Sequence, residues 1–144
     1  MVIKFKKLNE NAHSPTLGSQ FAAGADLYYC GESATINPGE TYFAGTGIAT
    51  EIPEGYVGLV YARSGLACKR GLAPANKVGV IDSDYRGEIK VALHNHSSDP
   101  QTIEPGERIA QMVVAPYLKC EYVESESLSE TSRGEGGFGS TGRK

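Results

Sequence analysis

The sequence lacks the features of several large protein classes. Its three cysteines, Cys30, Cys68 and Cys120, are odd in number and widely spaced, which argues against a disulfide framework and a four-thiolate zinc site. Such thiols are expected to be reduced and mostly buried. No signal-like segment follows Met1. No apolar run approaches the roughly 18 to 20 residues needed to cross a bilayer. We therefore expect a soluble, cytoplasmic protein with no membrane partner.

The chain also lacks a basic excess. Its net charge is -3, which gives no support to a nucleic-acid-binding surface. An anionic ligand would therefore have to be met by a local concentration of positive charge. The 144 residues suit a single core, and the hydrophobic fraction of 40% and charged fraction of 22% are near globular averages.

Strand-sized segments separated by turn signals dominate the rest of the pattern. Strands are predicted over 56–61, 88–95 and 108–115, and turns at Pro38-Gly39, Pro53-Glu54-Gly55 and Pro105-Gly106. One short helix is predicted over 65–70, with Ser64 as a possible N-cap and Gly71 as its stop. The stretch 9–20 is interpreted as a loop. The pattern favours an antiparallel sandwich, jelly roll or barrel, and no internal repeat is present.

The C-terminal segment is polar and rich in glycine. From Ser125 onward it has too few apolar side chains to offset its backbone entropy, so alone it is expected to be mobile. Gly134, Gly136 and Gly139 match the spacing of a dinucleotide fingerprint, but no helix follows, and the Gly-Lys-Ser/Thr of a Walker loop is absent. The remaining alternatives are a disordered tail and a strip that wraps phosphate while Phe138 stacks on a base.

Four other segments leave a structural and a functional interpretation open. Arg63-Ser64-Gly65 is either a plain helix cap or an anion site at a helix start. The segment 81–87 is either a hairpin turn or the position of a general base, Asp82, beside an aromatic ring. Strict alternation along 108–111 places Ile109 and Gln111 on one side and Arg108 and Ala110 on the other. His94 and His96 share a strand face but have no third metal ligand at a suggestive distance.

Five segments of the chain, four of them described above, resemble in this order the five motifs of trimeric deoxyuridine triphosphatases, the dUTPase family. The match covers nearly the whole chain, and its specificity lies in the order and spacing of the motifs, because each one alone is weak to moderate. The motifs are Ala23-Gly24-Ala25-Asp26-Leu27, Arg63-Ser64-Gly65-Leu66-Ala67, Gly79-Val80-Ile81-Asp82-Ser83-Asp84-Tyr85-Arg86-Gly87-Glu88, Gly106-Glu107-Arg108-Ile109-Ala110-Gln111 and the segment from Arg133 to Gly142. One departure is Ala62, where many family members have proline before the arginine.

The resemblance implies an all-β, jelly-roll-like fold, with a β-domain over 1–124 and a flexible arm over 125–144 that closes the active site. It implies a homotrimer whose active sites are shared between subunits. It also implies hydrolysis of dUTP to dUMP and pyrophosphate with Mg²⁺, by attack of water on the α-phosphorus. The reaction would keep uracil out of DNA and supply dUMP for dTTP synthesis.

The resemblance also assigns roles to the residues that match the motifs. Asp82 would orient and deprotonate the attacking water, and Tyr85 would pack on the deoxyribose and exclude a 2′-hydroxyl. A hairpin from Asn76 to Lys90, including Val80 and Ile81, would read uracil largely through main-chain groups.

The resemblance assigns the phosphate contacts to residues of the other motifs. Arg63, Ser64, Gly65 and Gln111 would hold the α- and β-phosphates, with Gln111 also near the attacking water. From the arm, Phe138 would stack on uracil, while Arg133, Ser140 and Thr141 would grip the γ-phosphate beside Gly139. Asp26 would be a supporting residue paired with Arg63. Mg²⁺ would be held by phosphate oxygens and water, with no direct protein ligand.

Two other functions compete with this one. A dCTP deaminase shares the fold and some motifs but acts on the base, and the phenylalanine-containing tail argues against it. A non-catalytic β-sandwich binding module would have no use for a water-activating Asp82.

Overall fold

The computed structural model describes residues 1–137, which form twelve strands and one helix. The strands are β1 Lys4–Lys7, β2 Thr16–Leu17, β3 Ala25–Tyr28, β4 Ala34–Ile36, β5 Thr41–Gly45, β6 Ile48–Glu51, β7 Tyr56–Tyr61, β8 Leu72–Pro74, β9 Gly79–Ile81, β10 Lys90–Asn95, β11 Gln101–Ile103 and β12 Arg108–Pro116; the helix is α1, Ser64–Arg70.

All strand pairs are antiparallel. A five-stranded sheet has the order β2-β3-β12-β7-β9, and a three-stranded sheet has the order β5-β10-β8. Two-stranded pairs, β1 with β6 and β4 with β11, complete the pairing. Because β12 lies between β3 and β7, the centre of the large sheet brings together three segments that are distant in the sequence.

A single apolar cluster lies under these sheets. Side chains from most of the strands and from α1 contribute to it, and nearly all are below 4% exposed. Its largest fully buried members are Tyr29, Leu27, Ile36, Leu72, Ile89, Leu93, Ile103 and Ile109. Tyr29 keeps its polar end satisfied, because its hydroxyl donates to the Glu32 carbonyl at 2.7 Å and lies 2.8 Å from the Tyr42 hydroxyl.

The predicted elements are mostly confirmed. The strand over 56–61 has the predicted bounds, the strand predicted over 88–95 begins two residues later, and β12 runs one residue further than predicted. The three predicted turns place Gly39, Gly55 and Gly106 in the left-handed region, with φ between 75° and 83°. A side chain is strained in that region, which explains the glycines there.

Three sequence-based expectations were wrong. The stretch 9–20 is not all loop, since the two residues of β2 pair with β3. Ser64 is the first residue of α1 and Arg63 is its N-cap, because the Arg63 carbonyl accepts the first helical hydrogen bond, from Ala67 N at 3.0 Å. The thiols are not mostly buried: Cys68 lies on the outer face of α1 and Cys120 lies after β12, and both are exposed.

Beyond Pro116 the described chain, up to residue 137, contains no strand or helix, and its residues are almost all exposed. No helix in the described part of the chain is long and apolar enough to span a membrane.

Candidate active site

A cleft of about 410 Å³ lies where β3, the start of α1 and β12 meet. We call it the arginine cleft. It is lined by Gly18, Ala22, Gly24, Asp26, Arg63, Ser64, Gly65, Arg108 and Gln111. The sheet register explains this meeting, because Gln111 of β12 is opposite Asp26 on one side and opposite Tyr61, two residues before Arg63, on the other.

Asp26 is the centre of charge in the arginine cleft. Its side chain is only 11% exposed, and both carboxylate oxygens are engaged by arginines. Arg63 Nε donates to Oδ1 at 2.8 Å, and Arg108 NH1 donates to Oδ2 at 3.2 Å. A mostly buried carboxylate needs such partners, and here one negative charge holds two positive ones. The lining residues therefore carry a net charge of about +1, in a chain that is acidic overall.

A β-bulge in β12 decides which side chains reach this cleft. The register against β3 shifts between Arg108 and Ala110, and both Ile109 and Ala110 are fully buried in the core. The predicted alternation was therefore wrong: Arg108 and Gln111 both line the cleft, with two core residues between them. The bulge consumes one residue and so brings side chains three apart to the same face.

Gln111 is held in place from two directions. Its Nε2 donates to the Ala62 carbonyl at 3.0 Å, which ties β12 to the residue before Arg63. Its Oε1 lies so near Gly24 that a Cβ built there would be 2.7 Å away. Gly24 is thus required for this side-chain position. Residue 62 contributes only its backbone carbonyl to this contact, so alanine in place of proline leaves this hydrogen bond unchanged.

The helix start contributes main-chain groups to the same cleft. Ser64 and Gly65 open α1 and line the cleft, and α1 has no acidic residue in its first turn. The N–H groups of the first helical turn have no intrahelical acceptor and carry a partial positive charge. The N-cap residue is Arg63, and it makes no side-chain capping hydrogen bond.

A second cleft, of about 500 Å³, lies around the connection from β9 to β10. We call it the tyrosine cleft. It is lined by Phe43, Val80, Ile81, Asp82, Tyr85, Glu88 and Lys90. The side chains of Phe43, Val80 and Tyr85 are all exposed, at 69%, 61% and 44%. Exposed aromatic and aliphatic groups beside a carboxylate suit a ligand that has both a flat apolar part and a reacting polar part.

Tyr85 is positioned by its own loop. Its N–H donates to the Asp82 carbonyl at 3.1 Å, and its hydroxyl donates to the Glu88 carbonyl at 2.9 Å. The phenol lies over Gly87, where an added Cβ would be 2.4 Å from the hydroxyl oxygen. The loop therefore presents the face of a ring whose polar end is already bonded.

The segment from Asn76 to Lys90 does not form the predicted hairpin. β9 pairs with β7 in the large sheet, whereas β10 pairs with β5 and β8 in the three-stranded sheet. The segment is therefore a crossover between two sheets. Asp82 follows β9 directly and is exposed at the start of this crossover, while Asn76 lies in the turn before β9 and lines neither cleft.

Glu88 anchors the far end of the crossover. Its Oε1 accepts a hydrogen bond from Gly47 N at 2.9 Å, and its Oε2 lies 3.6 Å from Lys90 Nζ. The Glu88 carboxylate therefore fastens the crossover to the segment after β5 and keeps Lys90 beside the tyrosine cleft.

The predicted site residues fall into separate groups. The two clefts share no lining residue, so within one chain Asp82 and Tyr85 line a different cleft from Arg63 and Gln111. Arg133 is exposed, lines neither cleft and bonds to its own turn, where its Nε donates to the Gly136 carbonyl at 2.7 Å. The predicted arm residues Phe138, Gly139, Ser140 and Thr141 lie outside the described residues.

Sequence reasoning assigned no site role to six lining residues: Gly18, Ala22, Gly24, Phe43, Glu88 and Arg108. Arg108 stands inside a recognised motif, but strict alternation placed it away from Gln111. Glu88 also ends a motif, although nothing in the pattern pointed to its main-chain contact with Gly47. Phe43 offered no signal, because an aromatic residue in an edge-forming strand is ordinary.

The two histidines form a pair without a third metal ligand. Their ring centroids are 4.4 Å apart in an edge-on arrangement, and His94 Nδ1 lies 2.8 Å from the Thr41 hydroxyl. Desolvation, together with the charges of His94 and Lys77, lowers the pKa of His96 below its ordinary value. Within residues 1–137 no group of three or more His, Cys, Asp or Glu side chains is arranged to hold a metal ion.

A family model described as dUTPase matches residues 10–142. The chain belongs to the dUTPase family. This confirms the predicted family and enzyme class. Among its relatives, the deoxyuridine 5'-triphosphate nucleotidohydrolase of Hydrogenobaculum sp. (strain Y04AAS1) is 51% identical over 100% of both chains.

Solved structures agree with this assignment. The dUTPase of Staphylococcus bacteriophage 80alpha with dUPNHPP has a TM-score of 0.89 and 31% identity, covering 98% of each chain. The D95N dUTPase of phage phi11 of S. aureus, described with a structural Mg(II) ion, has a TM-score of 0.78 and 26% identity, covering 88% of this chain and 98% of that one. The fold is therefore the jelly-roll-like antiparallel β-fold of dUTPases, as predicted.

Proposed function

We propose that this dUTPase-family chain hydrolyses dUTP to dUMP and pyrophosphate by attack of water on the α-phosphorus. The observation that carries the proposal is the pair of clefts. One concentrates two guanidinium groups and the start of a helix, which suits a phosphate chain. The other places an exposed ring and a carboxylate side by side, which suits a nucleoside and an activated water. The relatives' name and the nucleotide complex of the phage enzyme support the choice of dUTP.

Within this proposal each cleft has a separate task. Asp82 orients the water and accepts its proton, and Gln111 holds the same water against the α-phosphate. Tyr85 packs on the deoxyribose, and the main chain near Asn76, Val80 and Ile81, with Lys90, reads the base. Phosphoryl transfer depends mainly on positioning and charge neutralisation, which Arg63, Ser64 and Gly65 provide for the phosphates.

The separation of the two clefts on one chain supports a homotrimer with shared active sites. We propose that the tyrosine cleft of one subunit faces the arginine cleft of its neighbour and that an arm closes over both. The arm, residues 125–144 after a β-domain of residues 1–124, supplies Arg133 and Ser140 with Thr141 to the γ-phosphate, and Phe138, beside Gly139, to the uracil ring. Closure would exclude bulk water from the reacting phosphorus.

Mg²⁺ fits this site only through the substrate. Both carboxylate oxygens of Asp26 already accept hydrogen bonds from arginines. No cluster of three or more metal-binding side chains is present in the described part of the chain. We propose that the ion is carried by the phosphate oxygens and water, where it would neutralise phosphate charge. The structural ion of the phage phi11 enzyme shows that a relative binds this metal.

The substrate test is pyrophosphate release from dUTP, dCTP, dTTP and UTP, with and without Mg²⁺. We expect release from dUTP, weakened by chelation, and little from the other three. In ¹⁸O-water the label should appear in dUMP. Ammonia from dCTP would support a deaminase instead, and label confined to pyrophosphate would refute attack at the α-phosphorus.

Shared sites can be tested by mixing subunits. Asp82→Asn and Arg63→Gln chains should each be nearly inactive, since each lacks one cleft. Refolded together in equal amounts, they should form trimers in which about a quarter of the sites combine two intact clefts. Recovered activity near that fraction supports sharing, and no recovery in a verified mixed trimer contradicts it.

In the cell, the reaction would keep uracil out of DNA and supply dUMP for dTTP synthesis; the cytoplasmic location stays a prediction.

A further inference from the structure

His94 and His96 lie at the end of β10, and neither the motif roles nor the proposed mechanism uses them. Side chains two residues apart in extended backbone point to the same side of a sheet. His94 is half-buried and His96 is exposed. Their ring centroids are 4.4 Å apart, with an angle of 62° between the ring planes. The two imidazoles therefore meet at the surface, with one side of the pair open to solvent.

The backbone under this pair is held firmly. Asn95, which lies between the two histidines, is fully buried, and its Nδ2 donates to two main-chain carbonyls at 2.9 and 2.8 Å. His94 is in register with residues of both β5 and β8. His96 N donates to the Gly71 carbonyl at 2.8 Å, which continues the pairing beyond the end of β10. A ligand that needs both rings would find their main chain already in place.

The ring nitrogens are available for a ligand. His94 Nδ1 lies 2.8 Å from the Thr41 hydroxyl, which leaves Nε2 as the free nitrogen of that ring. Among the described residues, no hydrogen bond engages either ring nitrogen of His96. Desolvation, together with the charges of His94 and Lys77, lowers the pKa of His96, so its ring is neutral at pH 7, as metal binding requires.

From this geometry we infer that His94 and His96 form an open two-histidine site for a divalent transition-metal ion such as Ni²⁺ or Zn²⁺. Imidazole nitrogen suits these ions, whereas Mg²⁺ prefers oxygen ligands. The Thr41 hydroxyl orients His94, as the partner of the second ring nitrogen commonly does in metal sites. Water fills the remaining positions, because within residues 1–137 no third His, Cys, Asp or Glu is placed to join the pair.

This site is independent of the proposed function. Neither histidine lines the arginine cleft or the tyrosine cleft, and the ion differs in kind from the Mg²⁺ that the phosphates would carry. Loss of dUTP hydrolysis would leave the inference untouched, and failure of the inference would leave the reaction untouched.

The experiment is calorimetry on the full-length protein without nucleotide, with Ni²⁺, Zn²⁺ and Mg²⁺ as separate probes. Cys68 and Cys120 are exposed thiols that would compete for the same ions, so every protein tested carries serine at both positions. Thermal melting checks that each variant is folded. As a second readout, paramagnetic Ni²⁺ is added to ¹⁵N-labelled protein to locate the bound ion by the broadening of nearby amide signals.

Four variants test the assignment. His94→Asn and His96→Asn each remove one ligand, and Thr41→Val removes the partner of His94 Nδ1. His13→Asn is the matched control, because His13 is the one other histidine of the chain and is also exposed. Its ring stacks on that of Tyr28, with centroids 5.2 Å apart and no second histidine beside it.

We expect one Ni²⁺ or Zn²⁺ per chain at this site and no Mg²⁺. Thr41→Val should weaken Ni²⁺ binding by about 10-fold, the lower end of the usual cost of losing an outer-shell partner. His94→Asn and His96→Asn should each weaken it by at least about 10-fold, since removing a ligand costs no less than removing its partner. His13→Asn should match the wild type, and broadening should centre on residues 94–96.

Three results would overturn the inference: no saturable binding of Ni²⁺ or Zn²⁺ by the starting protein, unchanged affinity in both His94→Asn and His96→Asn, or an equal loss in His13→Asn. If a histidine variant fails to fold, the broadening in the starting protein decides, and broadening centred away from residues 94–96 refutes the site. Unchanged binding by Thr41→Val would refute the positioning role of that hydroxyl.

Discussion

Replacing Gly24 by alanine tests the position of Gln111 without touching Gln111 itself. The added methyl group would lie 2.7 Å from Gln111 Oε1 and 3.4 Å from its Cβ and Cδ. Only the amide oxygen is closer than ordinary contact, so the amide must move by about 0.7 Å. Since Nε2 is tied to the Ala62 carbonyl, this movement strains or breaks the 3.0 Å hydrogen bond there.

The cost to stability should be small. Overpacking lowers the free energy of unfolding by about 1 to 3 kcal/mol, but the displaced atom here is only the end of a side chain. Replacing glycine by alanine also raises the free energy of unfolding by about 0.4 to 1 kcal/mol, because alanine restricts the unfolded chain. We expect a net loss near 1 kcal/mol and a fall in melting temperature of about 3 °C. Activity should suffer more, because a misplacement near 1 Å costs up to about 100-fold in rate. The kcat for dUTP should fall about 10- to 100-fold, with KM changed only a few-fold.

Gly18→Ala is the control, because Gly18 lines the same cleft and a Cβ there meets nothing within 4 Å. Steady-state pyrophosphate release and thermal melting are measured for both variants. A double-mutant cycle with Gln111→Ala then tests the cause, since Gly24→Ala should add little once the amide is gone. Equal kcat for the Gly18 and Gly24 variants, or additive losses in the cycle, would refute the reasoning.

Three further predictions follow from the site and its surroundings. Asp82→Asn should bind a non-hydrolysable imido analogue of dUTP within about 3-fold of wild type and lose about 1,000-fold in kcat, as expected for a general base; retained turnover would exclude that role. A chain ending at Ser132 should melt within about 2 °C of the full chain, because the described residues after it bond only locally, and it should lose most activity; full activity would contradict the arm's role. The lowered pKa of His96 means that the unfolded chain binds more protons below pH 6.5, so stability should fall as the pH drops through that value, and His96→Asn should flatten this part of a stability-against-pH curve.

Much of the architecture could be predicted from the sequence because local rules act strongly in it. Proline–glycine turns forced three chain reversals, and the segment 56–61 reads as a strand since its β-branched and aromatic residues follow a turn. Gly71 ends α1 in the left-handed conformation, with its N–H bonded to the Ala67 carbonyl at 3.1 Å. Each of these features depends on residues that are adjacent in the chain.

The failures share a different cause. The bulge at Arg108 depends on the fit of β12 against β3, and the crossover after β9 depends on which sheet each strand joins. Neither feature can be predicted from a short stretch of sequence. The rule of alternation therefore mispredicted the face on which Arg108 lies, and the turn residues suggested a hairpin after β9. The motif resemblance found Gln111 and Asp82 without either feature, but it did not find the cleft-lining Arg108.

The arginine cleft shows how an acidic chain can present a site for a polyanion. Its charges come from three distant segments, and the strand register together with the bulge in β12 brings the two arginines within hydrogen-bonding distance of one carboxylate. A one-residue slip of β12 against β3 would turn Gln111 to the opposite face and separate Arg108 from Asp26. The buried Ile109 and Ala110 oppose that slip, because it would expose one of them and bury a polar neighbour. The core packing of β12 therefore fixes the charge geometry of the cleft, and substitutions at Ile109 should lower phosphate affinity although that side chain is fully buried in the core.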